Sequence, residues 1–459
     1  MHRCAAALAR PGLASITPTC NIGKLRFALD CPLAPATLSM TIFRQPGIDE
    51  RWKLVATLGV TFLIAYFDRL NIALAMPLIA AENGWTAAET ARRGALLMGL
   101  FYAGFGVASI FLTPWGSRLG PRKGLIAIVA LWSGFTALGA VMSQFLMIFM
   151  ASRILLGLAE GIHPPLMNQL TNTWFSPSER SRANSVWVSG LFIAILTAPV
   201  VLVPVMDRFG WRRGFYLLAV GGLLISLPLV LRYVHDRPCS HPRLPRDLAL
   251  ELERHAGGYE GMGGSAWPAL RQPAFLLMMA AGTLNNMVAL GVASWLPTYL
   301  ASIDGVRYAD LAHLAAIPYA ASLLGLGLWA IIGDRTNRRT LVAAGGYLAA
   351  GALAVAALAA GNAGDVWLTV ALLSAAVFCF SAYTAAEFAV VQRLLPRPQV
   401  ANGTGLFNGL TTMIGGGLGP FVVGGIIDGG ADHGDLATLF GLCLAVSILL
   451  TAVSKKFRY

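Results

Sequence analysis

The sequence predicts an all-α membrane protein of twelve transmembrane helices in two six-helix bundles, and three observations lead there. The 459 residues are 56% hydrophobic and only 12% charged, with a mean hydropathy of +0.65. A soluble domain of this size would need far more polar surface to cover it. The apolar residues gather into twelve runs of membrane-crossing length, and parts of the first six reappear in the second six at a nearly constant offset.

A helix needs about 20 apolar residues to cross the hydrocarbon core. The runs lie near 54–80, 94–115, 124–143, 145–172, 183–206, 213–233, 274–302, 311–332, 340–361, 366–393, 402–428 and 435–453. Helices are expected because lipid holds no water to satisfy an open backbone. Strands of a membrane barrel would alternate polar with apolar residues, and these runs do not.

Basic residues crowd into alternate connections: Arg118, Arg122 and Lys123; Arg180 and Arg182; Arg335, Arg338 and Arg339; Arg393 and Arg397; and the tail Lys455, Lys456 and Arg458. The intervening connections are acidic or nearly neutral, apart from Arg208, Arg212 and Arg213. The positive-inside bias places both termini in the cytoplasm, in a multi-pass inner (plasma) membrane protein. That topology accounts for the net charge of +12, partly through contact with anionic lipid of the bilayer. Nucleic acid is not an expected partner, because the charges are split among short loops instead of forming one face.

The six cysteines form no CxxC and the seven histidines no metal-spaced pair, so neither a metal nor a disulfide framework is expected. No Walker glycine loop is present, and no cofactor is implied. The chain lacks the convergent catalytic cluster that a membrane enzyme would require.

Four segments follow. Residues 1–50 carry no span, and a disordered or spurious extension is expected there, with Met40 as an alternative start; their apolar stretches are too short and broken for a signal peptide. Residues 51–233 form the first bundle, 234–272 a cytoplasmic linker with a short helix over Asp247 to His255, and 273–459 the second bundle.

The repeat supports that division. Gly116-Ser117-Arg118-Leu119-Gly120 after the second run matches Gly333-Asp334-Arg335-Thr336-Asn337 after the eighth, each with an Arg (Arg122, Arg339) a few residues on. Ala183-Asn184 opens the fifth run as Ala401-Asn402 opens the eleventh; the offsets are 217 and 218 residues. Such repeats place a substrate site between the halves near the midplane. The same shift carries Asp68 onto Asn285, so the amides Asn285-Asn286 become the second-half counterpart of Asp68-Arg69.

Across nearly everything after residue 50 the chain resembles the major facilitator superfamily. Gly116–Lys123 resembles the family's conserved loop G-x-x-x-D-R-x-G-R-[KR], with Ser117 in place of Asp and the second copy keeping Asp334. The fourth run carries Arg153-Ile-Leu-Leu-Gly157, similar to the R-x-x-x-G motif of proton-coupled members. Tyr66-Phe67-Asp68-Arg69-Leu70-Asn71, the run ending in Glu160, Trp174–Arg180 and Ser294–Leu300 resemble the anion:cation symporter branch. That resemblance implies proton-coupled uptake of sugar acids, aromatic acids or dicarboxylates by alternating access. It also implies proton-coupling roles for Asp68 and Glu160, and conformational roles for loop residues Arg118, Arg122, Asp334, Arg335 and Arg339.

Ionisable residues inside a bilayer are expensive and usually functional. Arg69 near the centre of the first run can grip a carboxylate with two parallel hydrogen bonds; the alternative is a structural ion pair with Glu160. An anion arriving at Arg69 would loosen its hold on nearby carboxylates and let one take a proton. Arg153 shares a face with Glu160 and would tune it, guard access or simply pack, while His163 one turn beyond is a possible relay or a satisfied interior group. Glu387, four residues after Tyr383, is read as a gate contact or second proton site, against a link to Arg393. Asn285, Asn286, Gln169 and Asn408 would bind substrate hydroxyls or join helices, and Tyr102 and Trp295 would line the cavity or pack. The expected cargo is a small organic anion with a proton, carried by a monomer. Proton-antiport efflux of a drug or metabolite is the rival, disfavoured for a cationic cargo by Arg69.

Overall fold

The computed structural model describes residues 46–113, 119–176, 179–257, 267–395, 400–428 and 433–456. Among them are twelve helices long and apolar enough to cross a membrane, and no strand. The spans are Glu50–Asn83, Ala87–Leu112, Pro121–Val141, Leu146–Trp174, Arg182–Phe209, Trp211–Tyr233, Pro273–Ala301, Tyr308–Gly333, Arg339–Asn362, Val366–Leu394, Gly403–Asp428 and Gly434–Lys456. Residues 1–45 of the expected extension, and Arg118, lie outside the described residues.

Local chemistry sets the helix ends. The second span starts at Ala87, well before the expected 94, because Thr86 and Glu89 form a reciprocal capping box, with bonds of 3.2 and 3.1 Å. An Arg93–Glu89 pair at 2.9 Å balances the charges of that early turn. The third span opens at Gly120 (φ +93°) and Pro121, and the Asp236 carboxylate accepts from the Arg122 backbone N–H at 2.7 Å. A carboxylate at a helix N-terminus meets both an orphan donor and the positive end of the dipole. Asp365 likewise caps the tenth span at Leu368 N–H.

Three spans contain a short π-helical stretch: Ala108–Leu112, Gly222–Ser226 and Thr412–Gly416. The fourth span is broken. Its first half ends at Glu160, a turn covers Gly161-Ile162, and His163–Trp174 resumes with Pro164 and Pro165 in the first turn, where prolines are tolerated. The Ser109 hydroxyl donates to the Gly161 carbonyl at 2.8 Å, supplying a partner for the broken ladder.

Small residues let the spans approach closely. A Cβ at Gly157 would lie 2.1 Å from the Phe101 carbonyl oxygen, and one at Gly190 would lie 2.3 Å from that of Gly59. The first span packs on the fifth, the second on the fourth and the third on the fourth and sixth; the seventh packs on the eleventh, the eighth on the tenth and the ninth on the tenth and twelfth. This is the same set of pairs in both sets of six. Between the sets, the first span packs on the seventh, the second on the eleventh and the fifth on the eighth. Tyr308, at the start of the eighth span, donates to the Leu74 carbonyl at 3.0 Å. No packed pair joins the fourth and tenth spans among the described residues.

The segment after the sixth span folds beneath the first six. Its helix runs Arg246–Gly257, a little longer than the expected Asp247 to His255, and buries Ala249 and Leu252. Trp174 Nε1 donates to the His235 carbonyl at 3.0 Å. Nearby, Arg51 pairs with Glu179 at 3.0 Å. Burial alone would raise the Glu179 carboxyl, but the Ser176 hydroxyl and Arg51 outweigh it and hold it below the ordinary carboxylate range.

Candidate functional site

Consecutive residues on a helix point about 100° apart, so Asp68 and Arg69 leave the first span in different directions. Arg69 Nε donates to Glu160 Oε2 at 2.6 Å, and the two side chains are 9% and 0% exposed. Its guanidinium lies 4.3 Å from the Tyr66 ring centroid and 4.5 Å from that of Phe105, with Phe101 at 5.9 Å. Aromatic faces stabilise a desolvated cation and hold its plane. Neither Arg69 Nη2 nor Glu160 Oε1 has a partner among the described residues. The ion pair therefore keeps one free donor and one free acceptor, both buried, where satisfaction is the rule.

Glu160 ends a half-helix, so a carboxylate meets the negative end of a helix dipole. A cation has to offset that arrangement, and Arg69 supplies it. The break in the fourth span thus puts an acid at mid-membrane with Arg69 as its only salt-bridge partner among the described residues.

Asp68 is turned toward the third span. Asn71 Nδ2 donates to Oδ1 at 2.7 Å and the Thr136 hydroxyl donates to Oδ2. Arg153 Nε donates to the Leu97 carbonyl at 3.3 Å, with its guanidinium 5.1 Å from the Phe101 ring. Arg69, Arg153, Phe101, Tyr102, Ala293 and Ser294 border one small cavity between the two sets of six spans.

The other expected residues are spread more widely. His163 is fully buried between Phe62 and Trp132, with Nε2 3.5 Å from the Thr61 hydroxyl. Thr61 spends its hydrogen on the Leu58 carbonyl, so the tautomer with the proton on Nε2 fits. Glu387 accepts from the Tyr383 hydroxyl at 3.3 Å. Asn285 accepts from the Tyr347 hydroxyl and donates to Asn286 Oδ1 at 3.1 Å. Trp295 is buried between the eleventh span, where its Nε1 donates to the Pro420 carbonyl at 2.7 Å, and Gly94 of the second span, and it borders a separate apolar cavity. Gln169 and Asn408 are half-buried, outside the residues that line the Arg69 cavity. Arg122 Nη2 donates to the Leu231 carbonyl at 2.7 Å. Arg335 is exposed, and the side chain of Arg339 lies against Gly333. The side chain of Asp334 lies outside the described residues.

Residues 58–420 match the Major Facilitator Superfamily, and the chain belongs to that family of transporters. It is similar to the Probable sulfoacetate transporter SauU of Cupriavidus necator, 28% identical over 64% of this chain and 67% of that protein. It is also similar to the Probable galactarate/D-glucarate transporter GudP of Bacillus subtilis, 25% identical over 78% of this chain and 82% of that one. In fold it is similar to the crystal structure of a bacterial homolog of the human lysosomal transporter Spinster in an inward-facing and occupied conformation. The TM-score there is 0.72 at 16% identity, covering 90% of this chain and 98% of that one. The protein is thus a multi-pass membrane transporter and not an enzyme.

Sequence reasoning missed the groups that hold the charges: Thr136 and Asn71 on Asp68, Tyr66 and Phe105 on Arg69, and Tyr347 on Asn285. A polar residue in an apolar span, such as Thr136, is a usable signal, because it must find a hydrogen-bond partner.

Proposed function

We propose that this transporter imports a small organic anion together with a proton across the inner (plasma) membrane, by alternating access between two six-helix halves with both termini cytoplasmic. The single observation that carries the reading is the Arg69–Glu160 pair at the wall of the central cavity, with one free donor and one free acceptor. An incoming carboxylate competes with Glu160 for the guanidinium, because Arg binds either with charge-assisted bonds of the same geometry. Once displaced, Glu160 has no cation to balance it in a buried site and takes a proton. Asp68, held by Thr136 and Asn71, is the second acid of the cycle, and Arg153 balances its charge. Substrate and proton then occupy the site together, and the halves rock to release both.

The names of the relatives support an anionic cargo, since sulfoacetate and galactarate or glucarate are oxyacids.

Flux into proteoliposomes under an imposed pH gradient tests the reading. Uptake should follow the inward proton gradient; accumulation driven by an outward proton gradient would indicate antiport and defeat it. Glu160→Gln should abolish gradient-driven accumulation while exchange of labelled substrate persists without pH dependence.

A further inference from the structure

Arg153 is the most buried arginine among the described residues, at 2% exposed, and it forms no ion pair with any of them. The other buried arginines are provided for. Arg51 pairs with Glu179 and Arg69 with Glu160, while Arg180 donates to the Phe175 and Asn172 carbonyls. A guanidinium is a fork of N–H donors that accepts nothing. Only the Nε of Arg153 is engaged, at the Leu97 carbonyl 3.3 Å away.

The two nearby acids are already taken. Glu160 is bonded by Arg69, and Asp68 accepts from Asn71 and Thr136. Both act on Arg153 through space without pairing with it. A buried charge with no direct partner is costly, and its retention calls for an anion that is present during part of the cycle.

Arg153 also faces the right place. Leu146–Glu160 is one unbroken helix, so Arg153 lies on the Glu160 face, two turns or about 10 Å toward the start of the span. It borders the same cavity as Arg69. Phe101 stands under both guanidiniums, with its ring centroid 5.9 Å from that of Arg69 and 5.1 Å from that of Arg153. Two cations on one ring are close enough for one small molecule to touch both. Leu70, Ile72, Ala73 and Met98 make much of the remaining wall apolar, with hydroxyls from Tyr102 and Ser294.

From this geometry we infer that Arg153 is a second substrate-binding cation, and that the cargo is a short diacid with one acid group on Arg69 and the other on Arg153. A monoacid on Arg69 leaves Arg153 as unpaired as it is in the empty site. A diacid pairs both cations through charge-assisted bonds and lays its carbon chain against the apolar wall. The balance that one proton keeps for a single negative charge then takes two, one each on Glu160 and Asp68. The inference rests on the reading of Arg69 as the carboxylate site.

The test is calorimetric titration of the purified full-length protein with succinate, glutarate and adipate, each against its half-amide, which has the same length and one charge fewer. At least one diacid should bind about tenfold or more tightly than its half-amide, the worth of a hydrogen bond to a charged group. Arg153→Gln keeps a donor for the Leu97 carbonyl and removes the charge; it should shrink that preference to about twofold or less, the loss falling on the diacid. Should this variant fail to fold, proton uptake by the unaltered protein decides: twice as many protons per bound diacid as per bound half-amide. Half-amides that bind as well as their diacids, a preference that survives Arg153→Gln, or equal proton uptake for the two ligands would overturn the inference while leaving the anion site standing. Failure of every acid, half-amides included, to bind would remove the anion reading and this inference with it.

Discussion

At Arg69 the structure joins two properties that usually exclude each other: a cation almost removed from solvent, and one still holding an unpaired donor at a cavity wall. A permanent structural lock would be expected to satisfy both of its partners fully. Two acids, Asp68 and Glu160, stand against two cations, Arg69 and Arg153, so one anion and one proton added together leave the charge balance unchanged. Lysine keeps the charge but loses the planar fork. Arg69→Lys should therefore bind substrate weakly, and Arg69→Ala should lose about 2–3 kcal/mol of binding, roughly 30- to 150-fold, in a calorimetric titration. Survival of full affinity in either variant would remove the site. Asp68-Arg69 was legible in the sequence because charge inside an apolar run is conspicuous. The pairing of Arg69 with Glu160 was named there as the alternative reading; the turn of Asp68 toward Thr136 was not legible, since that depends on the rotation of the first span against the third.

At the scale of elements, the small residues do most to fix geometry. Gly190 lies against the Gly59 carbonyl, leaving no room for a methyl group. Overpacking of this kind costs about 1–3 kcal/mol, so Gly190→Ala should lower the melting temperature of the purified protein by several degrees. Gly221, with nothing within 4 Å of an added Cβ, is the control, and Gly221→Ala should leave it unchanged or raise it slightly. Equal melting temperatures would show that this helix pair tolerates spreading. The twelve spans were readable from hydropathy because lipid imposes a length on each. The π-helical stretches and the break after Glu160 were not. They arise from how neighbouring helices accept displaced carbonyls, as Ser109 does for Gly161, although Pro164-Pro165 marked the place.

At the scale of the whole molecule, the repeated pairing of spans is what the offset of 217 to 218 residues had implied, since equal spacing of matching motifs requires equal architecture between them. On the face remote from the linker the two sets of six are joined where Tyr308 bonds to Leu74 and approaches Met206 at 3.4 Å. Tyr308→Phe removes a hydrogen bond worth about 0.5–1.5 kcal/mol. It should shift the population toward a state open on that face by roughly two- to tenfold, seen as a longer-distance component between spin labels on the fifth and eighth spans. An unaltered distance distribution would mean that this contact does not hold the two sets together. The linker helix was visible in the sequence as a charged stretch, but the docking of the linker beneath the first six spans depends on Trp174 and Glu50, whose partners His235 and Arg243 lie far along the chain.

Proton uptake on substrate binding is the most direct probe of the central claim. In weakly buffered detergent solution near neutral pH, saturating a purified sample with its anion should draw protons from the medium, reported by a pH indicator, and Glu160→Gln should take up measurably fewer. Binding that leaves the medium's pH untouched, or an uptake unaffected by Glu160→Gln, would contradict the exchange of Arg69 from Glu160 to substrate.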